Sequence, residues 1–499
     1  MTTVLQFTLT VGGLILAYLL VAQTAAFRRL QHIPGPAWAG RTSLWLIRRQ
    51  LSGRVHRDLA DLSKNYGPIF RIAPNWIVIS DPFEVRRVWQ ARGPWYRGRW
   101  YDMFRFDQPV ETVLSLRDNT AHNDLRSRLL PGYSGKDVDN LHSVVDKRIA
   151  DFVSLIERKY LSTNDGFRPM DLAEKAQFMT LDIISDLAIG KCFKCLNNDH
   201  DTYGQIAFVT GSLPLVVAMS VVPASFMLLQ NPIARAILPN DKLEGVGKMM
   251  ALAQQNAAKR YGPNKIEARD MLGSFVNHGL PYTSAWLETF GQIGAGSDTT
   301  ATAIRMTLFY LMTNRDSYRK LQEEIDAAAT QGRVSSPVTD EEGKDLPYLQ
   351  AVIKEGLRMW PPVAGLMPKM CDTEQTVCGL RIPPGTNVCW NPFAVLRNKD
   401  VFGVDAESFR PGRWLDEKDT DKLRAMEQIQ GFCFGTTSRW ECLGKAIAQL
   451  ELNKVFVELL RRFDFSLVDP INPLSTYDVS LSIQSDMWVK VQKRIRTEA

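Results

Sequence analysis

The chain has 499 residues, 45% of them hydrophobic and 23% charged, which supplies ample core for a globular protein. Its formal net charge of +6 is concentrated near the N-terminus, where Arg28, Arg29, Arg41, Arg48, Arg49 and Arg54 all precede the first acidic residue, Asp58. A nucleic-acid binder would carry its excess more widely, and the odd number of cysteines, seven, excludes a disulfide scaffold in favour of reduced thiols.

Residues 1–27 carry no charged side chain, and Val4 to Phe27 is an apolar run long enough to cross a ~30 Å hydrocarbon layer. Positive charge follows this run instead of preceding it, which favours a retained transmembrane anchor over a cleaved signal peptide. Arg28 and Arg29 then place the bulk of the chain on the cytosolic side. The expected organisation is an anchor at 1–27, a basic, proline-containing linker at 28–57 broken by Pro34-Gly35-Pro36, and one catalytic domain at 58–499. No low-complexity linker or internal repeat divides that domain.

The runs IFRIAP and WIVIS, on either side of Pro74-Asn75, predict a β-hairpin. Helical periodicity covers 138–160, 170–190, 243–260, 283–313, 315–329, 339–359 and 443–463. Strand signals return at Thr376–Ile382, Asn387–Trp390 and Met487–Val491. The fold class is therefore mainly α with small β-sheets. No βαβ alternation and no GxGxxG after a strand supports a doubly wound sheet. Cys192 and Cys195 form a CxxC near His200, but no further ligands follow at the spacing a zinc site needs.

Four motifs carry chemistry. Ala295-Gly296-Ser297-Asp298-Thr299-Thr300 interrupts an apolar helix with groups that are costly to bury. Thr299 either bonds back to the carbonyl four residues earlier or, with Asp298, relays protons. Glu355 and Arg358 share one helix face among apolar neighbours, so the pair is buried and requires a third partner. His122 and Arg126 lie one helical turn apart, as on a surface helix, and an arginine is well suited to carboxylates through its bidentate donors. Cys442 sits in FGTTSRWECLG just before an amphipathic helix. A cysteine there is either a small buried hydrophobe or a thiolate stabilised by the helix N-terminus and placed to bind a metal.

Phe434, Gly435, Arg439, Cys442 and Gly444 together closely resemble the haem loop of the cytochromes P450, in a longer, fungal form. Two departures stand out: Thr437 replaces a usual glycine, and Gly412 replaces a usual glutamate in Phe409-Arg410-Pro411-Gly412-Arg413-Trp414. The resemblance runs along essentially the whole chain and implies a P450 fold after the anchor. It implies haem b with Cys442 as axial iron ligand, and Phe434, Gly435, Arg439, Gly444 and Ala295 around the cofactor. His122 and Arg126 would hold a propionate, with Arg439 as a further partner. Gly296 would open room for dioxygen while Asp298 and Thr299 relay protons. Arg413 would complete a structural cluster with Glu355 and Arg358.

Pocket walls would include Phe104, Phe106, Val113, Leu213, Val217, Gln292, Val363, Leu366 and Ile483, most of them apolar. The implied activity is membrane-anchored monooxygenation of an apolar small molecule by O2. Electrons would come from NADPH through a separate NADPH-cytochrome P450 reductase, since no flavin domain is encoded. A terpenoid, polyketide or alkaloid would fit, and the style resembles fungal secondary-metabolism enzymes of the pisatin-demethylase-like group. The other expectations are a monomer, no nucleic-acid partner, contact with membrane lipid, and a single-pass protein of the endoplasmic reticulum with a cytosolic catalytic domain. Two rival readings are a P450 that rearranges or dehydrates its substrate without a reductase, and a haem-binding protein without turnover.

Overall fold

The computed structural model describes residues 13, 21–107, 109–222, 246–435 and 439–495. Most of the expected anchor, and Thr437, lie outside them. Among the described residues no helix is long and apolar enough to cross a membrane.

Helices α1 (Leu44–Leu51) and α2 (Val55–Tyr66) lead into the hairpin β1 (Ile69–Ala73) and β2 (Trp76–Ile79), then α3 (Pro82–Trp89) and the short strand β3 (Tyr96–Arg97). Next come α4 (Asn119–Tyr133), α5 (Leu141–Leu155), β4 (Met170–Asp171), α6 (Leu172–Ile189), α7 (Gln205–Ser220), α8 (Val246–Ala258) and α9 (Met271–Asn277). The helical half closes with α10 (Tyr282–Thr313), α11 (Arg315–Thr330), α12 (Asp340–Lys344) and α13 (Pro347–Met359). Strands β5 (Lys369–Met370), β6 (Gln375–Val377), β7 (Leu380–Ile382) and β8 (Asn387–Trp390) follow. After α14 (Lys445–Leu460) the chain ends in β9 (Phe463–Leu467), β10 (Ser475–Asp478), β11 (Ser482–Ser485) and β12 (Trp488–Lys493).

Local chemistry sets several of these boundaries. Asp81 accepts the Glu84 N–H at 2.8 Å and Pro82 opens α3, while Asp118 accepts the N–H groups of Thr120 and Ala121 to start α4. The single helix expected over 339–359 is two. Thr339 and Glu342 form a capping box for α12, the chain turns at Asp345, and Pro347, which has no N–H to continue a ladder, starts α13.

The main core is built on α6 and α10. All of α6 is buried except Glu174 and Asp186, and it packs along the 32-residue α10. Gly296 permits that approach, because a Cβ there would stand 2.9 Å from Ile184 Cγ1. The residue expected to make room for dioxygen thus serves helix packing. Ile149 and Phe152 of α5, Val352 of α13 and Phe456 of α14 complete this core.

A five-stranded sheet ordered β1-β2-β8-β5-β3 forms the second region. Ile77 and Ile79 face α3 and Trp390, while Phe70, Ile72 and Val78 face Leu46 of α1 and Leu59 of α2. Both faces are covered, which is why these strands read as continuous apolar runs. Leu30, Ile33, Leu46 and Val55 are buried in these clusters. The segment expected as a linker is therefore partly core, and the expected boundary at 58 falls inside α2.

Candidate active site

Cys442 lies between the 3-10 turn Gly431–Phe434 and α14. The loop folds back on itself, the Cys442 N–H donating to the Phe434 carbonyl at 2.7 Å. Gly435 makes this possible: its φ is +67°, and a Cβ there would meet the Trp440 carbonyl oxygen at 2.9 Å. Burial pushes the Cys442 thiol up, while the N–H groups of Gly444 and Lys445 and the charge of Arg126 pull the other way. Cys442 nevertheless counts as exposed. The residue thus keeps open surface although neighbouring protein atoms crowd its sulfur.

On α10, which packs against α14, Ala295 is exposed and Thr299 half-exposed amid the buried Ser297, Asp298 and Thr300. The Thr299 hydroxyl donates to the Ala295 carbonyl at 2.9 Å, which is the back-bonded state. Asp298 is paired: Arg305, fully buried, donates to it at 2.6 Å. Arg305 also reaches Thr302 Oγ1, the Ala173 carbonyl and the Gln484 carbonyl. The expected Asp298–Thr299 pair thus divides into an ion-paired carboxylate and a hydroxyl on the open face.

Beside the cysteine loop lies a group of buried bases that sequence reasoning only half foresaw. Arg97 and Lys369 are direct cross-strand partners in the β3–β5 pair, an arrangement of like charges that is unfavourable by itself. The Arg97 guanidinium stands 4.1 Å over the Trp440 ring, Lys369 Nζ lies 4.5 Å from it, and the His122 ring centroid is 3.9 Å away. Arg97 Nη1 donates to the carbonyls of Val113 and Leu114, but its Nε has no partner, nor does His122 Nδ1.

Burial, then the charge of Arg97, pushes His122 down to about 3. Burial drives Arg97 down to about 10 and, with Arg97 and Arg439 nearby, Lys369 well below the ordinary lysine range. Among the described residues neither Arg97 nor Lys369 has an ion-pair partner. Unpaired buried cations are costly, so the chemistry of this donor set calls for an anion. Haem propionates fit it. Arg126 and Arg439 flank the group but are spent on backbone: Arg126 donates to the Glu441 carbonyl at 2.5 Å and Arg439 to the Ala91 carbonyl. Arg97 and Lys369 were missed because short strands carry no periodicity, and Trp440 because it sits in the irregular stretch before Cys442.

Glu355, Arg358 and Arg413 do meet. Arg358 grips Glu355 with two hydrogen bonds of 2.9 Å, and Arg413 Nε donates to the same carboxylate at 2.9 Å. Trp414 Nε1 and the Arg410 N–H supply two more. Burial raises the Glu355 carboxyl, but the two guanidiniums outweigh it and hold the group below the usual range. Arg358 also donates to the carbonyls of Leu396, Ala406 and Ser408. Where Gly412 offers no acid, Asp405 does, accepting from Arg413 Nη1 at 2.9 Å.

Gln292 lies buried on α10, and the other eight expected pocket residues fall into three groups. Phe104, Leu213, Val217 and Leu366 pack in the cluster that covers one face of the sheet. Val113 and Phe106 sit against α10, Phe106 edge-on to Phe290 at 5.0 Å and the Val113 N–H donating to Glu288 at 2.7 Å. Glu288, unforeseen from sequence, is pushed up to about 8 by burial. Val363 bridges to Leu481 next to Ile483, and both Val363 and Ile483 are half-buried.

A family model described as Cytochrome P450 matches residues 33–488. The cytochrome P450 monooxygenase ABA1 of Pyricularia oryzae is 37% identical over 490 residues, covering 96% of this chain and 95% of that protein. The cytochrome P450 monooxygenase aba1 of Botryotinia fuckeliana is 37% identical over 476 residues, covering 94% and 93%. The cytochrome P450 monooxygenase gsfF of Penicillium aethiopicum is 30% identical over 484 residues, covering 93% and 94%.

Proposed function

The chain belongs to the cytochrome P450 family, monooxygenases that use haem b, O2 and NADPH-derived electrons, and on that premise we propose that Cys442 is the iron ligand of this chain. The carrying observation is the exposed Cys442, its sulfur crowded by protein atoms, in a loop whose Trp440 is packed by buried bases that lack an ion-pair partner. When bound, thiolate-ligated haem supplies the activation of dioxygen. The residues of the chain do the rest.

The N–H groups of Gly444 and Lys445 stabilise the Cys442 sulfur as an anion and temper its basicity. Phe434 and Gly435 fix the loop that presents it. Arg97, His122 and Lys369, flanked by Arg126 and Arg439, receive the two carboxylates of the cofactor. Burial keeps His122 neutral at pH 7, so it donates one N–H there without adding charge. Ala295, small and exposed, adds little bulk to this face of α10. The Thr299 hydroxyl can leave the Ala295 carbonyl and donate inward, and the proton it gives up is replaced from solvent by way of Asp298, which picks it up and passes it on while Arg305 holds the carboxylate in place.

We read the substrate as an apolar small molecule of fungal secondary metabolism, hydroxylated, epoxidised or similarly oxidised. The fungal relatives and the apolar walls support this. A reductase is the electron donor, and residues 1–27 hold the enzyme at the endoplasmic reticulum membrane with its catalytic part in the cytosol. Cys442→Ser should abolish the red-shifted Soret band of the reduced carbonyl complex, and Cys433→Ser should keep it. The opposite pattern would move the ligand to Cys433.

A further inference from the structure

We propose that Gln292 reads the substrate: its side-chain amide exchanges hydrogen bonds with one neutral oxygen, hydroxyl or carbonyl, on an otherwise apolar molecule. This rests on the reading above, in which the Ala295–Thr299 face of α10 borders the reaction. Residues 288, 292, 295 and 299 follow the 4-3-4 spacing of a single helix face. Gln292 is therefore in line with the two residues whose surfaces are open.

It is 5% exposed, and neither Nε2 nor Oε1 has a partner. Gln350 Nε2 donates to the Gly343 carbonyl and Asn453, and Gln322 Nε2 to Asp464, whereas Gln205 has only its Oε1 unpartnered. Gln50 shares the orphaned state, but it lies in α1, remote in the chain from this face. A buried amide with neither atom paired is unfavourable for folding, whereas a ligand oxygen satisfies both donor and acceptor. Glu288, one turn away, is committed to the Val113 N–H and so fixes the loop that closes over this stretch.

Gln292 precedes Thr299 by two turns, roughly 10 Å along the axis. The recognised oxygen therefore sits at the far end of the substrate from the carbon that reacts, and a chain-matched molecule of that length should register in both places. Decane, 1-decanol and 2-decanone are suitable probes, titrated into haem-loaded protein with the spin-state shift of the Soret band as readout.

The wild type should bind at least one oxygenated probe about tenfold more tightly than decane, the worth of one satisfied buried hydrogen bond. Gln292→Leu should reduce that ratio to about one, and Glu288→Gln should leave it standing. Gln292→Leu should also keep or raise the melting temperature of ligand-free holoprotein. A lower melting temperature would assign the amide a structural role, for instance pairing with Glu288, and would overturn the proposal. So would an unchanged ratio, or the absence of a shift with all three probes. A normal reduced carbonyl band in the same preparations isolates that failure from a failure of the haem assignment.

Discussion

Two groups of buried charge lie in this molecule, one around Glu355 and one beside the cysteine loop around Trp440, and they differ in one respect. Around Glu355 every charge is answered: two guanidiniums, an indole N–H and a backbone N–H converge on one carboxylate, and the spare donors find carbonyls. Around Trp440 three bases meet with no acid among them. The closed group resembles what a fold needs for itself. The open one is intelligible only with something added, and that asymmetry separates scaffold from binding site without reference to any relative.

Breaking the closed group should have the largest effect. Glu355→Ala strands two buried guanidiniums, which costs about 3–5 kcal/mol, so little haem-loaded protein should be recovered. The yield of the reduced carbonyl band per unit of protein measures it. Lys369→Met should split the two states. It removes an unpaired buried cation and so should raise the melting temperature of haem-free protein. It should also speed haem loss to apomyoglobin about tenfold, the worth of one charge-assisted hydrogen bond.

His122 sharpens the comparison through pH. Its folded value, about 3, lies below the ordinary 6.5, so the unfolded chain binds the extra proton first. The neutral-state contribution is full above pH 6.5 and drains away as pH falls toward 3. Haem-free protein should lose stability over that window, and His122→Phe should flatten the loss. Urea titrations at pH 4.5 and 7 would show it. The mildest change is Asp405→Asn, at a partly exposed carboxylate on the rim of the closed group. It should cost about 1 kcal/mol, seen as a shift of a few degrees in melting temperature.

Much of this was legible from residues alone, for physical reasons. The hairpin around Pro74-Asn75 and the long helix carrying Asp298 and Thr299 follow from pattern and length. Burial of the Glu355–Arg358 pair followed from its apolar flanks, and so did the need for a third partner. Three things were hidden. A proline split the helix expected over 339–359, although the apolar period runs straight through it. The packing of Gly296 against Ile184 was hidden because sequence cannot tell which side of a helix a missing Cβ faces. Arg97 and Lys369 meet only through strands too short to leave a signature, brought together from distant parts of the chain.

That last pairing bears on the order of assembly. The sheet takes β1 and β2 from residues 69–79 and β8 from Asn387–Trp390, so completing it needs a pairing between distant parts of the chain, which is slow. Its far edge, β3 on β5, then has to close with two cations face to face. An incoming dianion removes the repulsion that opposes closure. On the proposed assignment, cofactor binding would favour the docking of the last strand, and haem-free protein should show that edge as its weakest seam.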